Sequence, residues 1–408
     1  MIAHAVILND YATVTGGSSA VAHASAIGLA RQGVAVTLFT AVGPVAGNLE
    51  GVPGLEVICL QQPEIVADPH RLRAFVRGIY NREAITALRH VLEKLNPADT
   101  VVHVHTWTKA LSPFLIDAAI ACGFRVILTL HDFFITCPTG GFFVHGSSEL
   151  CRRVPLSLDC LLCPCDRRNQ AQKLWRVART AIQNRLLRIP DRIAHFLGVS
   201  DLSVKVMRDY LPAQAAITMV RNPIDGLRNA PALAEENEPF VYIGRFSHEK
   251  GVLLFAEAAG RLGIPAVFIG DGEVRAEAER LCPHGTFTGW QSAQEVAKWV
   301  RRARALVFPP LWYETLGLVV VEAAAQGIPA IVASKCAATD YVRDGETGLW
   351  FEHGSVDALC EQLLAMRAPG AAGRLGQRAY DWYWNDPWTT EHHVDDLLDV
   401  YRRVLTAA

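Results

Sequence analysis

Residues 240–251 read FVYIGRFSHEKG. A β-branched and aromatic run stops at Gly244 and a helical pattern opens near Lys250, so the stretch is a buried strand, a loop and a helix start. Just upstream, VRNPIDGLRNAPALAEENEP (220–239) is rich in Pro, Asn and charge and has no periodicity, which is the composition of an interdomain linker. Downstream the pattern repeats as PAVFIG (265–270), helices from Glu273 and from Ser292, ALVFP (305–309), a helix after Glu314, and PAIVA (329–333). Before the linker it has already run once. AHAVIL (3–8), a helix over 18–31, VAVTLF (34–39), LEVICL (55–60), a helix over 71–95, TVVHV (100–104), a helix over 110–122 and RVILTL (125–130) precede a long irregular segment, 131–168. A basic helix, IAHFLGV (193–199) and a helix from Asp201 complete that half. Strands alternating with helices of this length make parallel βαβ units. The reading is an α/β chain of two Rossmann-like, doubly wound domains facing a central cleft. The N-terminal domain covers 1–222, the linker 223–238 and the C-terminal domain 239–387. An amphipathic helix over 388–408 is expected to pack back on the first domain.

At 408 residues the chain exceeds one ordinary core, which agrees with two domains. A net charge of −2 excludes general attraction to nucleic acid. No apolar run reaches the roughly 20 residues of a membrane span, and the opening MIAHAVIL is too short and lacks a basic lead for a signal peptide. A cytoplasmic chain is therefore expected. Cys59, Cys122, Cys282, Cys336 and Cys360 are scattered among apolar or helical residues and read as core filler.

Ligands of open α/β sheets bind beyond the carboxyl ends of the strands, so the strand exits carry the chemistry. After the first strand, Gly16 and Gly17 precede a helix; they either let an anion approach its N-terminus or form a plain turn. His131 and Asp132 follow RVILTL, placed either to meet a ligand hydroxyl or to cap a turn. Arg245 and Lys250 follow FVYIG; a forked cation and a point charge suit a diphosphate, and the bland alternative is a solvated pair. The last exit, WYETLGLVVVEAAAQG (312–327), sets Glu314 and Glu322 around an apolar run. A helix from near Thr315 separates them by roughly 12 Å, the span from the sugar to the ribose of a nucleotide sugar, with the amides of Leu316 and Gly317 facing phosphates between them. The alternative is a capping acid and one satisfied helix acid.

Taken in order, Gly16-Gly17, GRFSHEKG (244–251), GDGE (270–273), FTGW (287–290) and E-x7-E from Glu314 to Glu322 resemble one family over nearly the whole chain: the retaining GT-B glycosyltransferases of the large fourth sequence family. The resemblance implies that Arg245 and Lys250 neutralise the donor diphosphate, that Glu322 holds the ribose hydroxyls, that Glu314 contacts the transferred sugar, and that His131 sits by the reacting carbon. Gly16, Gly17, Gly272, Trp290, Thr315, Leu316 and Gly317 complete the implied donor site. It implies retention of anomeric configuration by front-face attack with no metal required, a nucleotide-sugar donor, and a saccharide or lipid-linked acceptor in bacterial surface polysaccharide assembly. A sugar-nucleotide epimerase on the same fold and a non-catalytic nucleotide-sugar-binding protein are the rival readings. The chain departs from the family at KCAATDY (335–341), where Thr339 and Asp340 stand in place of the usual Gly-Gly-Pro-Glu-like turn.

The irregular segment holds Cys137, Cys151, Cys160, Cys163 and Cys165, spaced C-x13-C-x8-C-x2-C-x1-C. Such crowding points either to a structural zinc or to a packed thiol-rich loop. The basic helix of 167–192 carries Leu174, Trp175, Val177, Ala178, Ile182 and Leu186 on or near one face; ten Lys or Arg face three Asp over 152–192. It is read either as a peripheral contact with anionic lipid at the inner face of a membrane, or as a helix packed on the sheet with its arginines solvated.

Overall fold

A computed structural model describes residues 2–224, 226 and 228–407. Residues 1 and 408, at the ends of the expected segments, and Asp225 and Leu227 in the expected linker lie outside the described residues. The strands are β1 (His4–Tyr11), β2 (Ala35–Val42), β3 (Leu55–Cys59), β4 (Thr100–Val104), β5 (Arg125–Thr129), β6 (Phe143–Val144), β7 (Glu149–Leu150), β8 (His195–Gly198), β9 (Ile217–Met219), β10 (Phe240–Ile243), β11 (Ala266–Ile269), β12 (Thr286–Gly289), β13 (Ala305–Phe308), β14 (Ala330–Ala333) and β15 (Gly348–Phe351). The helices are α1 (Gly17–Arg31), α2 (Arg71–Arg77), α3 (Arg82–Leu92), α4 (Pro113–Ala121), α5 (Leu158–Leu162), α6 (Gln170–Ala181), α7 (Ile189–Arg192), α8 (Asp201–Arg208), α9 (Val252–Leu262), α10 (Arg275–Leu281), α11 (Ala293–Arg301), α12 (Leu318–Ala325), α13 (Val356–Met366), α14 (Ala371–Asn385) and α15 (Thr390–Thr406).

The chain forms two compact units, one of 1–141, 153–223 and 389–408, the other of 142–152 and 224–388. The N-terminal unit holds a parallel sheet in the order β3-β2-β1-β4-β5-β8-β9. Helix α1 crosses from β1 to β2, and α15 lies against α1 and β4. Their shared core joins Ile7, Leu29 and Leu38 to Val394, Leu397 and Tyr401, all buried. Gly28 lets the two helices close up, because a Cβ there would come within 2.9 Å of Thr390 and still nearer to Val394. Polar ties fix the register: Tyr401 Oη is 2.7 Å from His103 Nδ1, and Ser25 Oγ is 2.8 Å from His393 Nε2.

The C-terminal unit holds a second parallel sheet, β12-β11-β10-β13-β14-β15. In both sheets the chain runs outward from the first strand and then returns to its other side. The order therefore reverses between β1 and β4, and between β10 and β13, and each reversal opens a crevice at the carboxyl ends of the strands.

Several boundaries differ from the sequence reading. The helix expected over 71–95 is two helices, because the chain turns at 78–81 and Asn81 caps α3 through the Ala84 amide at 3.2 Å. Helix α10 opens at Arg275, two residues beyond the expected Glu273. The segment read as a linker is docked on the C-terminal unit: Glu235 accepts hydrogen bonds from Arg304 at 3.1 Å and from the amides of Gly370 at 3.0 Å and Gly373 at 3.2 Å. The hairpin β6–β7, inside the cysteine loop assigned to the N-terminal domain, belongs to the C-terminal unit, where His145 lies 4.0 Å from Glu249.

Candidate functional site

The reversal point of the C-terminal sheet gathers the charged residues. Leaving β10, the chain makes a short 3-10 turn over His248–Lys250 and enters α9 through Gly251, at φ +71°. A side chain at 251 would overlap the Pro309 carbonyl oxygen, so only glycine lets the β10 loop lie on the β13 loop. That contact brings Lys250 Nζ to 2.6 Å from Glu314 Oε2. The same carboxylate oxygen accepts from Trp312 Nε1 at 2.9 Å, and the ammonium lies over the Trp312 ring, 4.8 Å from its centroid. The lysine is thus held by a carboxylate and by a cation–π contact together. Arg245, half-exposed, donates to Glu249 Oε1 at 2.9 Å. Glu249 is itself buried. Burial works to raise its carboxyl, but hydrogen bonds from its own amide and Ser247, with Arg245 and His145 nearby, hold it below the usual range. The sequence offered Arg245, Lys250 and Glu314 as separate contacts; the fold pairs the last two directly. Trp312 and Glu249, which complete the cluster, stood inside the quoted motifs without a role.

The helix after Glu314 begins at Leu318, not near Thr315, so Thr315, Leu316 and Gly317 are a loop ahead of α12 and the 12 Å helical spacing does not apply. Gly317 caps α12 at φ +81°, and a Cβ there would meet the Phe308 ring at 2.6 Å. Tyr341 Oη donates to the carbonyls of Leu316 at 2.6 Å and Gly317 at 3.0 Å, which pins this loop to the KCAATDY turn. In that turn Thr339 bonds the Cys336 carbonyl at 2.8 Å, and the Ala337 amide bonds the Glu314 carbonyl at 3.2 Å. Gly317 brings no capping side chain to α12 and no acid lies in the helix's first turn, which leaves the positive end of its dipole uncompensated by either. Glu322, half-buried on α12, has no ion pair or hydrogen bond to another described residue, and burial alone raises its carboxyl. Gly272 follows β11 in the loop where the Asp271 carbonyl accepts the Phe246 amide at 2.9 Å. Trp290 follows the edge strand β12 with two-thirds of its surface exposed, two strands from the reversal point.

In the N-terminal unit, Gly16 caps α1 and Gly17 opens it, with no side-chain cap and no acid in the first turn. Asp10, fully buried at the end of β1, clamps the loop after β4: its carboxylate accepts from the amides of Lys109 at 3.0 Å and of Ala110 and Leu111 at 2.9 Å each. The sequence reading passed over it, although an acid closing an apolar strand was the available signal. His131 follows β5 with Nε2 at 2.9 Å from His105 Nδ1. Burial, with His393 nearby, pushes His131 down to about 3, so it is a neutral hydrogen-bonding imidazole near pH 7. Asp132 accepts the Phe134 amide at 3.0 Å, and burial still carries its carboxyl up to about 6.

Residues 16–223 match the glycosyl transferase 4-like domain family, and residues 224–382 match the glycosyl transferases group 1. The chain belongs to the group 1 glycosyltransferases. Among its relatives, a Salmonella typhimurium lipopolysaccharide 1,2-N-acetylglucosaminetransferase is 27% identical over 62% of this chain and 70% of its own length. A Mycobacterium leprae phosphatidyl-myo-inositol mannosyltransferase is 27% identical over 47% of this chain and 56% of its own. Sucrose-phosphate synthase from Thermosynechococcus elongatus shares the fold with a TM-score of 0.71 at 17% identity, over 99% of this chain and 100% of that one. The Anabaena protein HepE, solved with UDP and glucose, does so at 0.66 and 14% identity, over 98% of this chain and 99% of its own. These likenesses establish the GT-B architecture.

The cysteine loop of this glycosyltransferase holds two of its sulfurs against a lysine. Cys137, Cys160, Cys163 and Cys165 are buried and Cys151 is half-buried, yet among the described residues no three His, Cys, Asp or Glu side chains converge as a metal would require. Lys173 stands among the sulfurs instead, with Nζ 2.9 Å from Cys165 Sγ and 3.6 Å from Cys160 Sγ. Burial would lower the lysine, but the adjacent Cys165 and Cys160 hold it above its usual value. The basic helix buries a different face from the apolar one read in the sequence, and its arginines are not all solvated. Helix α6 ends at Ala181 and passes into a π turn over Ile182–Leu186. Its buried face carries Lys173, Val177, Arg179 and Thr180, while Leu174 and Leu186 are exposed. Arg179 donates to the Thr108 carbonyl at 2.8 Å and lies over the Phe134 and Trp175 rings, and Arg176 pairs with Asp166 at 3.3 Å. Burial lowers both guanidinium groups. Apolar periodicity picked the wrong face because the groups beneath this helix are carbonyls, thiols and rings that accept cations.

Proposed function

We propose that this glycosyltransferase moves a hexose from a nucleotide diphosphate sugar to a saccharide or lipid-linked acceptor with retention of configuration, in the assembly of a bacterial surface polysaccharide. The observation that carries this reading is the Lys250–Glu314–Trp312 cluster at the reversal point of the C-terminal sheet, with Arg245 on the same loop and the uncapped start of α12 beside it. A leaving diphosphate needs fixed positive charge and oriented amides where negative charge develops. Lys250, Arg245 and the first amides of α12 supply these. Glu314, released from Lys250 by the incoming phosphate, turns to a hydroxyl of the transferred sugar. Glu322, partially dehydrated and without a protein donor, takes the ribose diol. Trp290 offers an exposed ring, and the Gly272 loop offers backbone to the nucleotide. From the N-terminal unit, neutral His131, oriented by His105, donates to or accepts from a substrate hydroxyl without adding charge, and α1 presents its bare start at Gly16 and Gly17. No step in this scheme calls for a metal.

Calorimetric titration with UDP first, the nucleotide bound to HepE, then with GDP, ADP and TDP, tests donor binding in the wild type and in Lys250→Ala. Binding of one nucleotide that is lost in the variant supports the cluster; equal binding by both proteins removes it. The anomeric coupling of the product, read by NMR, decides retention.

A lipid-linked acceptor is favoured by one surface of the N-terminal unit. Leu72, Phe75 and Val76 on α2, Leu158 and Leu162 on α5, and Leu174 on α6 are all exposed. Trp175 Nε1 bonds the Phe75 carbonyl at 3.2 Å and Gln170 the Leu161 carbonyl at 3.1 Å, so α2 and α5 both lie against α6, and Arg71, Arg167 and Arg168 on or beside these helices are exposed. Apolar side chains rimmed by arginine suit an anionic lipid surface. Among the described residues no helix is long and apolar enough to cross a membrane, so this contact is peripheral. Co-sedimentation with anionic vesicles that Leu72→Ser/Leu162→Ser does not diminish would rule it out.

A further inference from the structure

Lys173 is 1% exposed, and among the described residues no carboxylate pairs with it. Among the described residues, the hydrogen-bonding neighbours of its ammonium are the sulfurs of Cys165 at 2.9 Å and Cys160 at 3.6 Å, themselves 3% and 6% exposed. A buried ammonium needs a strongly accepting partner, and these two sulfurs are the acceptors held against it. The approach is fixed from both sides: the residue after Cys165, Asp166, is tied to Arg176, one turn along α6 from Lys173. Pro164 and Arg167, which flank this pair in sequence, are exposed, and Cys165 itself keeps 3% of its surface open to solvent.

We propose that Cys165 and Lys173 form a modification site in which a hydroperoxide drives a covalent nitrogen–sulfur link. The Cys165 thiolate attacks the peroxide: a sulfur–oxygen bond forms, the oxygen–oxygen bond breaks, and the departing hydroxide takes a proton from the Lys173 ammonium and leaves as water. The sulfur is oxidised by two electrons and the peroxide is reduced. The lysine, now a free amine, attacks the sulfenic acid. A nitrogen–sulfur bond forms, the sulfur–oxygen bond breaks, and hydroxide leaves with an amine proton as a second water. Sulfenic acids condense with nitrogen in this way when one is held against them, and here the nitrogen lies 2.9 Å from that sulfur. The same lysine that lies against the sulfur becomes the group that traps its oxidised form. The link staples the loop leaving β5 at His131 to helix α6, and a thiol reductant opens it.

The test is peptide mapping of the full-length, reduced and desalted protein after graded hydrogen peroxide, with free thiols alkylated before digestion. The expected product is lighter by two hydrogens, has lost the tryptic cut after Lys173, carries Cys165 joined to Lys173 in the fragment spectra, and reverts with dithiothreitol. Cys160→Ser should retain the link and Cys165→Ser should lose it; in Lys173→Arg the sulfenic acid should persist and react with dimedone. A disulfide between two cysteines with Lys173 still cleaved, a sulfinic acid at Cys165 with a free lysine, or a Cys165 thiol that peroxide leaves unchanged would each overturn the proposal. One equivalent of zinc in untagged protein, with the loop thiols protected by it, would also overturn it and restore the metal reading.

Discussion

At the scale of single residues, the telling contrast is between Glu314 and Glu322. Glu314 has a cation and an indole donor, whereas Glu322 has neither and is raised by burial. A carboxylate kept dehydrated without a partner destabilises the fold it sits in, so its value lies in what it binds. Glu322→Gln is therefore expected to hold or raise Tm at pH 7 while weakening nucleotide binding by about 1.5–3 kcal/mol, the worth of a hydrogen bond to a charged group. Calorimetric titration beside a thermal melt checks both, and a variant that loses Tm yet binds normally contradicts this reading. Asp132 gives a pH signature. Its folded carboxyl is carried up to about 6, whereas an unfolded aspartate titrates near ~3.9. Between those values the folded chain holds more protons than the unfolded one, so Asp132 costs stability progressively as pH rises through that window. The Tm of Asp132→Asn should gain on the wild type from pH ~4 to ~6 and then stay level; a difference flat in pH would show that the carboxyl titrates normally. Charged types at strand exits were readable in the sequence, and their pairings were not. Lys250 and Glu314 are 64 positions apart, and the pairing of β10 with β13, together with the contact between Gly251 and Pro309, makes them neighbours.

At the scale of elements, the long apolar runs announced themselves. AHAVIL, VAVTLF, TVVHV and RVILTL became the central strands of the first sheet, and FVYIG, PAVFIG, ALVFP and PAIVA those of the second. Strands β9 and β15 escaped notice because three or four residues at a sheet edge carry no alternation to read. Helices α13 and α14 lacked a motif to draw attention to them. The start of α12 was misplaced for a definable reason. Thr315, Leu316 and Gly317 have no sequence mark that forbids a helix, and it is the left-handed Gly317 that delays it. Gly317→Ala should accordingly cost 1–3 kcal/mol for a non-glycine residue held in that region, with the Phe308 clash added. The expected outcome is a lower Tm and a weaker nucleotide response together. A variant with wild-type Tm would mean the loop can relax into a helix from Thr315.

At the scale of the whole molecule, the last helix closes the first domain. Val394, Leu397, Leu398, Val400, Tyr401 and Val404 of α15 are buried against the N-terminal unit. At ~2 kcal/mol for each large apolar side chain, their burial amounts to about 12 kcal/mol, comparable with the entire stability of an ordinary domain. A chain stopped after Trp388 should lose the cooperative melting of its N-terminal unit and bind a hydrophobic dye, while nucleotide binding by the C-terminal unit persists. Native melting of the truncated chain would show that α15 is an accessory. The same connectivity sets a schedule on the ribosome. Translation releases the residues of the first sheet early, but the helix that seals their hydrophobic face is synthesised only after the whole of the C-terminal unit. The C-terminal domain can thus be complete while the N-terminal one still waits, its open face a natural substrate for chaperones during every round of synthesis.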